Sequence, residues 1–338
     1  MEEEVVDALL NGDRETQIRA ATDLSGLSGR QRHRLAERGV VPPLLSMLHS
    51  QDFEAVEAAL FALLRLASGS ERNKVRIAKA GAIPVLLSLL QCQSEALMDL
   101  AMAALLILSS CRANKLVIAA SGAIQILVEM LSGDNTGGDN NGSSMSMQAK
   151  LDAISTFQNL STCHEIIPLV VSSGAVFSLL QLLCGCDKSS ELVQKAISLL
   201  ETMASWSEIA VEEVAGTGGA IQALVETVEE GSPQCQEHAV GILLLICKSC
   251  REKYRGLILR EGIMPGLLQL SVHGTWRAKD MAQDLLLLLR ECPNYGSRKK
   301  QLKNEHLEQI MKEIDAEGEE VAGTALRMVE EMIAKLNV

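Results

Sequence analysis

A handful of short stretches in this chain carry residue types that do chemistry in other proteins. Cys247-Lys-Ser-Cys250 has the spacing of a redox pair or half a zinc site, but it closes a long apolar run and no second pair stands at zinc-site distance. Cys184-Gly-Cys186 and Cys163-His164 offer soft metal ligands without a matching fourth. Gly216-Thr-Gly-Gly219 has the glycine density of a phosphate loop and lacks the strand that must precede one. Asp134 to Asp139 imitates the opening of a calcium loop, yet Met145 stands where a bidentate glutamate is required. The six histidines, His33, His49, His164, His238, His273 and His306, are dispersed and share no row. No nucleophile, base and oxyanion donor converge, so the expectation is a chain that is not an enzyme and holds no metal or cofactor.

The elements that would carry these residues are legible from composition and periodicity. Of 338 residues 47% are apolar, 22% charged and only 2% aromatic, which excludes disorder and disfavours a β sandwich or barrel. Lys plus Arg number 31 against 43 Asp plus Glu, and a net charge of −12 repels nucleic acid. The start, Met1-Glu-Glu-Glu, has no basic and apolar leader, and no apolar run reaches the length of a membrane span. With nine scattered cysteines, an odd number, the expectation is reduced thiols in a cytoplasmic or nuclear protein, with no membrane partner.

One ten-residue phrase recurs six times. It reads GVVPPLLSML from Gly39, GAIPVLLSLL from Gly81, GAIQILVEML from Gly122, GAVFSLLQLL from Gly174, GAIQALVETV from Gly219 and GIMPGLLQLS from Gly262. Successive glycines lie 42, 41, 52, 45 and 43 residues apart. The long interval contains the polar stretch Ser132 to Met147, which reads as an inserted flexible loop. Gly81 ends a short helix, Pro84 falls in the first turn of the next, and leucines at helical spacing, Leu86, Leu87, Leu89 and Leu90, form an apolar face. A longer, Ala-rich third helix follows, as in Ala55 to Ser68. Burying each such leucine contributes roughly 1.5–3 kcal/mol, which only a stacked neighbour can supply. The period predicts an all-α solenoid of three-helix repeats.

The GAIPxLLxLL phrase followed by an EAALxALxxLAS helix resembles the armadillo repeat, over nearly the whole chain. DRETQIRAATDLSGL from Asp13 and GSERNKVRIAKAGAIPVLLSLL from Gly69 are similar to the armadillo region of plant U-box ubiquitin ligases. The resemblance implies a right-handed superhelix whose third helices line a protein-binding groove. It also implies a division into a leading partial repeat (1–28), six repeats (29–292) and closing helices (293–338). The chain opens on a repeat helix with no U-box ahead of it, so ligase activity is not expected to come with the repeats. Near the closing helices, Arg298-Lys-Lys with Lys303 reads as a solvated helix face or a nuclear-import signal.

Aligning the third helices gives the rows that such a groove would present. The row that holds Trp in the family's nuclear-import adaptors is Phe61, Ala103, Ser155, Ser198, Gly241 and Asp284 here. The row of Asn one turn later is Arg65, Ile107, Asn159, Thr202, Leu245 and Leu288, matched only at Asn159. These departures argue against import-adaptor cargo binding. The row one turn earlier is Glu57, Asp99, Leu151, Gln194, Glu237 and Asp280. Its acids read either as a rail for the basic residues of an extended peptide or as complements to the helix macrodipole. The small residues of the middle row read as a roomy floor or as close helix contacts. Charge is uneven along the chain: residues 29–80 hold 9 basic and 5 acidic groups, residues 81–250 hold 6 and 17. The expected function is a non-catalytic scaffold for protein segments, basic or extended ones above all. An adaptor in ubiquitin signalling is the alternative.

Overall fold

The computed structural model describes residues 2–132 and 145–290. Most of the insertion, including Asp134, Asp139, Asn141 and Ser143, lies outside the described residues, as do Arg298 to Lys303 and the closing helices. The described residues form twenty α-helices and no strand.

They divide into two compact units, one up to residue 181 and one from residue 182. In the first, α1 (Glu2–Asn11) and α2 (Arg14–Gly26) precede three full triplets. These are α3 (Gly29–Glu37), α4 (Val41–Leu48) and α5 (Phe53–Ala67), then α6 (Glu71–Lys79), α7 (Ala82–Leu89) and α8 (Glu95–Ser109), then α9 (Arg112–Ala120), α10 (Ala123–Ser132) and α11 (Met147–Ser161). A 3-10 turn at His164–Ile166, α12 (Ile167–Ser172) and α13 (Ala175–Gly185) follow, and the division falls inside α13. The second unit continues with α14 (Glu191–Trp206), α15 (Glu208–Gly216), α16 (Ala220–Glu230), α17 (Pro233–Ser249), α18 (Arg251–Arg260), α19 (Met264–His273) and α20 (Trp276–Leu289).

All six repeat glycines have positive φ, between 75° and 96°, at the junction of first and second helix. At Gly81, φ is 96° and the next residue already begins α7, a turn that an L side chain adopts only with strain. Leu86, Leu87 and Leu90 are then buried, while Leu89 is half-exposed. Every third helix is opened by a hydroxyl or carboxylate that accepts a backbone N–H: Asp52, Ser94, Ser146, Ser190, Ser232 and Thr275. These caps fix where each third helix starts, and so fix the register of its outward rows.

Third helices pack in succession, α2 on α5, α5 on α8 and α8 on α11 in the first unit, and α14 on α17 and α17 on α20 in the second. The core between them is aliphatic, with Leu60, Met102 and Leu105 fully buried in one unit and Ile197, Leu243 and Leu285 in the other. Phe157 is the exception in the first unit, a fully buried ring. The ends of the expected insertion correct its bounds. Ser132 closes α10, Met145 is buried, Ser146 caps α11 and Met147 opens it, so these residues belong to the repeats.

Candidate functional site

The four-residue step along each third helix brings the aligned rows to one face. On α5, Glu57 is half-buried, Phe61 is 46% exposed and Arg65 is exposed, its Nε donating to the Ser25 carbonyl at 3.1 Å. Ala103 and Ile107 on α8, and Ser155 and Asn159 on α11, are half-buried. Asn159 faces its neighbour repeat, where its Nδ2 donates to Ser109 Oγ at 2.9 Å. In the second unit Gln194, Ser198, Thr202 and Leu245 are half-buried, and Asp280 and Asp284 are exposed. Thr202 bonds its own helix through the Ser198 carbonyl at 2.9 Å, and Asp284 lies 3.8 Å from Lys248 Nζ. Gly241 and Leu288 do not open onto this face, because both are buried.

Gly241 is small for a packing reason. A Cβ there would collide with Glu201 Oε1, which lies across α17. Glu201 is itself buried and accepts from His238 Nδ1 and from Arg277 Nη2, each at 2.6 Å. Arg277 Nη1 also donates to Glu237 Oε1 at 3.0 Å, so one guanidinium ties α20 to both α17 and α14. Burial pushes the Glu237 carboxyl up, but bonds from Thr275 and Arg277 outweigh it and hold the group below the ordinary glutamate value.

Two acids of the aligned row thus have a use within the fold. Ser146 Oγ, which accepts the Ala149 N–H to cap α11, donates its own proton to Asp99 on α8 at 2.8 Å. Thr275 caps α20 in the same way and donates to Glu237 on α17. An acid on one third helix therefore holds the cap of the next. Ser94 caps α8 without such a bond among the described residues. We expect Ser94→Ala to cost about 1 kcal/mol and Ser146→Ala about 2 kcal/mol. Urea unfolding of both variants measures the difference, and equal losses would show that the Asp99 bond adds nothing.

Extending the step one turn toward the helix starts exposes a row that the alignment stopped short of. It holds Phe53 (46% exposed), Met147 (60%) and Trp276 (83%), each the first residue of its helix. Of the chain's four Phe and two Trp, only Phe157 is buried. The repeating interval of four residues was the available signal for this row. On α20, Trp276, Asp280 and Asp284 now stand one turn apart on one face.

The stretches with chemical residue types stay apart from this face. Among the described residues no group of three His, Cys, Asp or Glu side chains is placed to hold a metal. Cys247 is buried, and burial pushes its thiol up, away from the reactive thiolate, while Cys250 is exposed beyond the helix end. Gly216 ends α15 and Gly219 opens α16, so the glycine cluster is a helix junction. Among the described residues no single helix is long and apolar enough to cross a membrane.

Residues 139–300 match the family model described as the plant U-box protein ARM repeat region. U-box domain-containing protein 45 of Arabidopsis thaliana is 30% identical over 187 residues, which is 54% of this chain and 22% of that protein. The chain thus matches about a fifth of the length of that relative. A structure of computationally designed armadillo repeat proteins for modular peptide recognition superimposes with a TM-score of 0.63 at 23% identity, covering 72% of this chain and 99% of that one. A designed armadillo repeat protein in complex with peptide (KR)4 gives 0.52 at 20% identity, covering 85% and 98%.

Proposed function

We propose that this chain, which has the armadillo-repeat fold and repeats similar to those of plant U-box proteins, is a non-catalytic scaffold that binds extended segments of partner proteins along its third helices. The observation that carries this reading is the exposure of the scarce aromatic side chains. A fold that keeps Phe53, Phe61 and Trp276 in water, while its core is mostly aliphatic and buries only Phe157 and Tyr254 among the described aromatic rings, has large apolar groups available for a partner. On α5 those rings alternate with Glu57 and Arg65, and on α20 Trp276 leads to Asp280 and Asp284. The α20 face suits a Lys or Arg of the bound segment, whose cation meets a ring face and the acidic row, where Asp284 is shared with Lys248. That a designed relative is in complex with a (KR)4 peptide is consistent with this. Asp99 and Glu237 contribute less to such a rail, since Ser146, Thr275 and Arg277 already engage them.

A displayed library of twelve-residue peptides, panned against the chain, tests the reading. Recovered sequences are expected to lose binding by about tenfold in Phe53→Ala/Phe61→Ala or in Trp276→Ala/Asp280→Ala, with helix content unchanged. Recovery of one common set by wild type and both variants would remove the third-helix face from the function. A second reading, an adaptor in ubiquitin signalling, is favoured only by the match to U-box repeats. It requires a ubiquitin-conjugating enzyme, or a protein that binds one, among the partners.

A further inference from the structure

Cationic side chains outnumber their acids in one cleft of this acidic protein. α3 and the loop between α5 and α6 border an open cleft of about 630 Å³, lined by Arg30, Arg32, His33 and Arg34 on one side and Ser68 and Ser70 on the other. Two of these side chains have acidic partners within the fold. Arg34 pairs with Glu2 at 2.8 Å, and His33 lies 3.5 Å from Glu37. Arg32 is not matched, because its Nη1 is buried and meets no acceptor among the described residues. Burial, and then the like charge of Arg65, push the Arg32 guanidinium below its ordinary value. Among the described residues Arg65 is held only by the neutral Ser25 carbonyl, and Arg30 is exposed. Glu71, at the head of α6, is engaged by Lys74 Nζ at 2.5 Å.

Such an arrangement does nothing for the stability of the fold, since a buried donor without an acceptor and two adjacent like charges both destabilise it. It is the arrangement that an oxyanion would complete. A carboxylate brings one charge, whereas a phosphomonoester brings about −1.5 to −2 and three acceptor oxygens to guanidinium forks that match its geometry. The Ser70 hydroxyl accepts the Asn73 N–H at 3.3 Å and so keeps its own proton to donate. A nucleic acid is disfavoured, because α1, with Glu2, Glu3 and Glu4, packs on α3 and the whole chain carries −12.

We propose that this cleft docks a phosphorylated serine or threonine of a partner protein segment, held by Arg30 and Arg32 with Ser70 as hydroxyl donor. The site rests on the reading of the chain as a protein scaffold and deepens it. Arg65 ends the outward face of α5, so a segment lying on Phe53 and Phe61 would reach the cleft. A phosphate there would compensate the Arg32–Arg65 repulsion, making modification of the partner a condition of tight binding.

The test uses the full chain and two peptide libraries with randomised flanks, one with a fixed central phosphoserine and one with serine. The wild type is expected to retain the phosphoserine library about tenfold more than the serine library. Arg30→Gln/Arg32→Met should bring that ratio to about one, with a thermal midpoint unchanged or higher because an unmatched buried charge is gone. Arg30→Gln alone, at an exposed site, keeps the test decisive if the double variant folds poorly. A ratio of one in the wild type overturns the proposal while leaving the scaffold reading standing, provided serine peptides are retained. A preference that survives both variants overturns it by placing the phosphate elsewhere. Retention of phosphoinositide vesicles without phosphopeptide preference overturns it in favour of a membrane surface. Retention of neither library removes both readings.

Discussion

Replacing Glu201 with alanine is expected to lower the unfolding free energy by about 2–3 kcal/mol, from the loss of two charged hydrogen bonds in a mostly buried site. The side chain of Glu201 is 9% exposed, while Arg277 is 40% exposed, so the guanidinium left behind regains some water and the loss falls at the lower end for a broken buried pair. The sharper result lies in its coupling to Gly241. Alanine within a helix is favoured over glycine by about 1 kcal/mol, so Gly241→Ala would ordinarily stabilise α17. Here the added Cβ meets Glu201 Oε1 and drives the carboxylate from Arg277, and a net cost of about 1–2 kcal/mol is expected. In the Glu201→Ala background the same substitution should stabilise by about 0.5–1 kcal/mol. Urea unfolding of the four proteins measures the cycle, and one sign in both backgrounds would refute the contact. Glu237 adds a pH signature. Its folded pKa is depressed, so its contribution is present above the ordinary glutamate value and is lost as the pH falls through the folded one.

Phe157→Ala should be the most damaging single change in the first unit, at about 3–5 kcal/mol. The ring is fully buried on α11, which packs on α8, and the aliphatic side chains around it have no way to refill so large a space. Phe157→Leu should cost only about 1–1.5 kcal/mol, since most of the volume is kept. Denaturant unfolding gives both values, and amide exchange in α8 and α11 should quicken in proportion. A loss below 1 kcal/mol for the alanine variant would mean that the two helices close over the gap, and that the ring does not set their spacing.

The repeat was legible because its punctuation is chemical. A glycine every 42 residues or so is needed where φ is positive, and all six stand at such a turn. The four-residue step likewise placed Phe61, Asp280 and Asp284 outward, since a helix face follows from periodicity alone. Arg277 was not legible in the same way. It reaches Glu201 across 76 positions of sequence and two third helices, and no local pattern records such a partner. Gly241 read equally as open floor or as a close helix contact for the same reason, because the carboxylate that decides it comes from the preceding third helix. The charge count located an excess of basic residues near the first repeat but not the buried Arg32 nitrogen that lacks an acceptor among the described residues, which depends on burial.

The caps that open the third helices have a consequence for how this protein varies over time. Asp, Ser or Thr at the cap and small or aliphatic residues beneath it are held by backbone geometry and packing, but the very next side chain is Phe, Glu, Met, Glu, Pro or Trp in successive third helices. That position is nearly free of the fold, yet its backbone anchor is rigid. Mutation can rewrite it at little risk to stability, so related chains should share a chassis and diverge first in these six letters, each lineage spelling a different address on the same frame.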